Sequence, residues 1–266
     1  MGGIMSITGE PGGGPVRPGV SQGDVTAGLF TAIGILAALH DREKTGKGQA
    51  VDISMLDCQV SILENAIMRY FVTGTAPEKL GTRHPSATPF QAFPTADGHL
   101  VVALGFGEEN QWQLLCGILG LPELLDDARF ATGPRRTQRH AELEPLLIGA
   151  FAKRSTREWL IDLEVAGIPC GAVNTIPEML NDPQVQAREM VQEVTHRTAG
   201  TIPIANTPIR LSRNETGIKG PPPDFAQDTG DVLAELLGLS EADVNELVAR
   251  GVVATSGGPD ISSITG

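Results

Sequence analysis

Residues 19–57 read GVSQGDVTAGLFTAIGILAALHDREKTGKGQAVDISMLD, which joins a Gly-rich loop, one acid, a long apolar helix and a short strand. From Val25 to Leu39 only Thr26 and Thr31 are polar, and apolar residues cover every side, so the spacing predicts a helix buried all round. The apolar run is too short for a membrane span, which needs roughly 20 residues. Gly28 and Gly34 each lower helix propensity and predict close approach of neighbouring backbone. His40 to Lys44 turns polar, and Gly46 and Gly48 break the helix. A strand is then expected from Ala50 to Met55, with Val51, Ile53 and Met55 on one side.

Asp24 follows Gly23 and falls at the N-terminus of this helix, where unpaired backbone N–H groups and the helix dipole keep an acid ionised. An ordinary N-cap accounts for the same residue, since Asp is among the preferred caps. Gly19-Val20-Ser21-Gln22-Gly23 also fits the GxSxG pattern of a hydrolase nucleophile elbow, but the preceding Pro15-Val16-Arg17-Pro18 is a poor strand for that motif. Gly46-Lys47-Gly48 is no P-loop, because Gln49 stands where Ser or Thr is required.

The 266 residues suffice for one large domain or two small ones. A formal charge of −12 argues against nucleic acid and anionic membrane surfaces as partners. Cys58, Cys116 and Cys170 lie far apart with no metal-ligand spacing, so reduced thiols in a cytoplasmic protein are expected, with Cys58 and Cys116 in the core. No charged segment followed by an apolar stretch opens the chain, and no signal peptide is expected.

Residues 1–18 are Gly- and Pro-rich and read as loop. After Met55 a second helix is predicted to about Val72, ended by Gly74. Gly81-Thr82-Arg83-His84 reads as a flexible loop, in which His84 is either a solvated side chain or an acid–base group. Phe90 to Phe93 and His99 to Leu104 predict a β-hairpin turning at Thr95-Ala96-Asp97-Gly98. Trp112, Leu115, Cys116 and Leu119 share one helical face, and Arg135, Arg136 and Arg139 read as a solvated helix entry. Capping boxes are predicted at Ser155/Glu158 and Thr175/Glu178. Strands are expected at Met190 to Thr195 and Ile209 to Leu211, and helices at Thr229 to Leu237 and Glu241 to Arg250.

The blocks RPGVSQGD, AGLFTAIGILAAL, REKTGKGQAVDISMLD, PFQAFPTADGHLVVA, DDARFAT, EWL…AGIPCGAVNT and ELLGLS…GVV, in this order, resemble the class III CoA-transferases, the CaiB/BaiF family of formyl-CoA and carnitine CoA-transferase type. The resemblance implies an α/β fold, with an incomplete Rossmann-like large domain plus a smaller α+β domain. It divides the chain into a large-domain portion (1–72), linker and small domain (73–189), a return to the large domain (190–253) and a disordered tail (254–266). The family's N-terminal part, with its first strands and most CoA contacts, is expected to lie outside these residues.

By the same resemblance Asp24 is the catalytic nucleophile, and Gly81, Thr82, Arg83 and His84 fall in the active-site lid. The implied reaction moves CoA from an acyl-CoA donor to a carboxylic acid acceptor, with coenzyme A as substrate and no other cofactor or metal. Two alternatives stay open: an α-methylacyl-CoA racemase-type enzyme of the same fold, and an inactive or partner-dependent chain. The family's interlocked homodimer implies a dimeric or poorly soluble isolated chain, and N-terminal CoA contacts lying outside these residues imply weak CoA binding. Ala226-Gln227-Asp228-Thr229 departs from the family's Gly-x-His-Thr, so any role for that histidine has no counterpart here.

Overall fold

The computed structural model describes residues 1–105 and 109–256, and the chain divides into two compact units after Val173. The first unit opens with α1 (Ile4–Ile7), α2 (Gln22–Thr45), α3 (Met55–Ser61) and α4 (Glu64–Thr73). There follow β1 (Phe90–Pro94), β2 (His99–Ala103), α5 (Glu109–Leu119), α6 (Glu123–Asp126), α7 (Gly133–Gln138), α8 (His140–Phe151), α9 (Thr156–Val165) and β3 (Cys170–Ala172). The second unit holds α10 (Ile176–Leu180), α11 (Pro183–Ala187), β4 (Val191–His196), β5 (Gly200–Ala205), α12 (Thr229–Leu237) and α13 (Glu241–Ala249). The fold is mixed α/β with two small antiparallel sheets, ordered β1-β2-β3 and β4-β5.

Gly46 ends α2 in the left-handed conformation (φ 70°), its N–H donating to the Arg42 carbonyl at 2.8 Å. Residues 50–54 form no regular element and pair with no strand, so the strand expected at Ala50 to Met55 does not form. Alternation alone is no strand without a ladder to join. The segment packs on α2 instead: a Cβ on Gly34 would lie 2.9 Å from Val51 Cγ1, while Gly28 faces open space. The single helix expected from Met55 to Val72 is two, because the chain turns at Ile62–Leu63 and Glu64 takes φ 30°.

The core of the first unit gathers Phe93, Leu100, Val102, Trp112, Leu115, Cys116, Phe130, Leu143, Leu147, Phe151, Trp159 and Leu163, all from β1 through α9. Phe93 stacks on Phe151 at 4.7 Å, and Trp159 meets Phe151 edge-on while donating its indole N–H to the Phe151 carbonyl at 2.7 Å. The hairpin turns at residues 95–98 as expected, and Asp97 accepts the Thr156 N–H at 2.8 Å, tying the turn to the start of α9. Both predicted capping boxes are present, at Ser155 and Thr175, and a third opens α13 at Ser240.

Arg136 departs from expectation, being 3 % exposed where a solvated residue was predicted. Its guanidinium donates to the carbonyls of Thr88 (3.1 Å) and Phe130 (3.2 Å), pairs with Glu109 (3.0 Å) and lies over the Trp112 ring. In the second unit Ile209 to Leu211 is not a strand, and β5 occupies residues 200–205. The tail expected over 254–266 lies outside the described residues from 257 onward.

No residue of α2 is buried: Val25, Leu29, Ile33 and Leu36 are 56, 60, 60 and 66 % exposed. The cover its sequence demands is not supplied within the described residues. At 24 residues, reaching through the polar stretch to Thr45, the helix is long and apolar enough by length and composition to cross a membrane, a length the apolar run alone did not foretell.

Candidate active site

Asp24 is the third residue of α2, and Ser21, not Asp24, occupies the N-cap position. The Ser21 side chain makes no cap bond; its hydroxyl accepts from Arg17 Nη2 at 3.2 Å. The Asp24 carboxylate is exposed and, among the described residues, carries no hydrogen bond or ion pair. A capping carboxylate would be committed to a backbone N–H; this one is uncommitted.

It lines a groove of about 230 Å³ between the N-terminal segment, the first turn of α2 and the first turn of α3, with Arg17, Ser21, Gly23, Met55 and Gln59. No histidine lines this groove, so Ser21 has no base beside it and the nucleophile elbow lacks its second member. Gln59 was invisible to sequence reasoning, because it sits in a helix read only for its apolar spacing.

The loop at 81–84 is built as a turn. Gly81 takes φ 61° and donates its N–H to the Gly9 carbonyl at 2.9 Å, and Thr82 Oγ1 accepts the Ala92 N–H at 3.1 Å. His84 Nδ1 accepts from the N–H groups of Ser86 (3.2 Å) and Ala87 (3.1 Å), and its ring stacks on Phe90 at 4.9 Å. With Nδ1 occupied, the neutral ring carries its proton on Nε2. Gly81, Thr82 and Arg83 line a cavity of about 430 Å³ that does not include Asp24. Within this one chain the structure does not bring the loop and the acid into one pocket.

The same cavity holds a polar cluster in which Gln91 and His140 are buried and Glu144 is partly exposed. His140 Nε2 meets Gln91 Oε1 at 2.5 Å, Gln91 Nε2 donates to Glu144 Oε1 at 2.7 Å, and His140 Nδ1 stands 3.7 Å from Glu144 Oε2. Burial, then the Arg83 charge, hold the His140 pKa below the ordinary imidazole value, against the pull of Glu144. The i,i+4 spacing of His140 and Glu144 is the sequence signal for this pair. Burial pushes the Cys116 thiol up to about 12, which marks it as an inert core residue. Among the described residues no group of three or more His, Cys, Asp or Glu is arranged to hold a metal ion.

The chain is 38% identical over 253 residues to a mouse (Mus musculus) protein named succinyl-CoA:glutarate CoA-transferase, covering 95% of this chain and 58% of that protein. It is 37% identical over 236 residues to succinate–glutarate CoA-transferase of Agrobacterium fabrum, again 58% of that protein's length. The chain thus spans somewhat over half the length of these relatives. A crystal structure of a CAIB/BAIF family protein from Brucella suis matches with TM-score 0.73 and 34% identity over 88% of this chain and 60% of that one. The sequence profile of CoA-transferase family III matches residues 1–229, and the chain belongs to that family.

Proposed function

We propose that the protein moves CoA from an acyl-CoA donor to a carboxylic acid acceptor by covalent catalysis at Asp24. The observation that carries this is the uncommitted Asp24 carboxylate in a groove at the start of α2. An Asp24 oxygen attacks the thioester carbonyl carbon, the C–S bond breaks, and CoA leaves as thiolate, giving a mixed anhydride. The thiolate attacks the Asp24 carbonyl carbon and expels the donor acid as its carboxylate, leaving an aspartyl-CoA thioester. The acceptor carboxylate then attacks that thioester, and the released thiolate takes the acyl group from the new anhydride. Asp24 returns as a carboxylate and no net proton is moved.

The relatives' names support dicarboxylic acids as the substrate class. The loop 81–84 serves as the lid in this reading, closing over an Asp24 groove completed by a second copy of the chain. The exposed apolar side chains of α2 support a homodimer and a Rossmann-like large domain in which that helix is an inner element; the boundaries 1–72, 73–189 and 190–253 rest on the family resemblance. A cytoplasmic location suits thiols that form no disulfide.

Hydroxylamine trapping in the presence of acyl-CoA tests the reading: the adduct is expected on Asp24, and Asp24→Ala should abolish both trapping and transfer. Racemase chemistry would instead show solvent deuterium entering the substrate α-position without any acceptor, and an unmodified Asp24.

A further inference from the structure

We infer that Gln59 is a catalytic residue of this site, its carboxamide N–H donating to the oxygen that becomes anionic when the acyl carbonyl is attacked by Asp24. The inference rests on the reading of Asp24 as nucleophile. Gln59 lies on α3, one turn beyond Met55, and lines the same groove as Asp24.

Two glycines from separate stretches make room for its amide. A Cβ on Gly2 would stand 2.5 Å from Gln59 Cβ and 2.6 Å from its Oε1, and a Cβ on Gly23 would stand 2.7 Å from Nε2. A larger residue at Gly2 displaces the Gln59 side chain as a whole, and one at Gly23 displaces its amide nitrogen. The amide is therefore wedged with its oxygen toward Gly2 and its nitrogen toward Gly23, the residue directly before Asp24. Among the described residues neither end of it makes a hydrogen bond, so its N–H groups are left for whatever enters the groove.

The chemistry of the attack calls for such a donor. As the Asp24 oxygen bonds to the thioester carbon, the carbonyl π pair moves onto oxygen; it returns as the C–S bond breaks and thiolate leaves. That oxygen forms beside Asp24 and needs a donor fixed in advance. A neutral carboxamide supplies one without pairing with the nucleophile, whereas a lysine here would hold the Asp24 carboxylate in an ion pair. Arg17, the cation of this groove, is turned to Ser21.

Single-turnover formation of the Asp24 adduct, with acyl-CoA at varied concentration and hydroxylamine trapping, is the test. Gln59→Met keeps length and neutrality but has no donor, so it should slow adduct formation about 10²-fold with half-saturating acyl-CoA unchanged. Gly23→Ala, which pushes the amide aside, should slow it similarly, and joining it to Gln59→Met should add nothing further. An unaltered rate in Gln59→Met, or an altered half-saturation alone, would overturn the role of Gln59 while leaving Asp24 in place. No Asp24 adduct on the unaltered chain would overturn the nucleophile reading and this one together.

Discussion

Arg136 shows what a single side chain can conceal in a sequence. Arg135, Arg136 and Arg139 read alike, yet only Arg136 falls over Trp112 and between the carbonyls of Phe130, nearby in sequence, and Thr88, 48 residues away. Arg136→Met leaves those carbonyls unpaired and should cost about 2–3 kcal/mol in denaturant unfolding, and Arg136→Lys should recover part of it, lacking the fork. His140 gives a pH signature. Its folded pKa lies below the ordinary imidazole value because of burial and the Arg83 charge, so the unfolded chain takes up the proton first, and stability is lost as pH falls through that ordinary value. His140→Gln should flatten the unfolding free energy between neutral and mildly acidic pH. Asp24 was placed by resemblance to the family, while its freedom from capping needed coordinates.

Elements were legible where local chemistry decided them. The capping boxes at Ser155 and Thr175, the hairpin turn at Thr95–Gly98 and the face of α5 all follow from side chains within a few residues of one another. Ser155→Ala should accordingly cost about 1 kcal/mol by thermal or denaturant melting. Illegible elements depend on partners. VDISM alternates but finds no ladder, whereas β5, for which no strand was expected, pairs with β4 although it carries Pro203. In a two-stranded ribbon each strand keeps an outer edge, where a missing N–H breaks no bond. The break between α3 and α4 carries no Gly or Pro to announce it.

At the scale of the molecule, the helix that decided the reading of the sequence is the one the structure leaves uncovered. Its all-round apolar surface, with Leu29, Ile33 and Leu36 in water, calls for a second surface. Sedimentation of the purified chain should show dimer or larger species that dissociate on dilution. A monomer at all concentrations would remove the support that α2 gives to the proposed dimer.

The exposure of α2 also sets how the chain melts. The heat capacity of unfolding measures the apolar surface that becomes wet, usually about 12–15 cal/mol/K per residue. In a single chain α2 is wet beforehand, while among the described residues the main apolar cluster runs from Phe93 to Ile168. Scanning calorimetry on a dilute sample should therefore return an increment per residue below that range and a shallow urea slope, both rising with protein concentration as α2 is covered. The thermogram of this protein thus reports on association, and its baseline step counts the leucines and isoleucines that a partner has taken out of water.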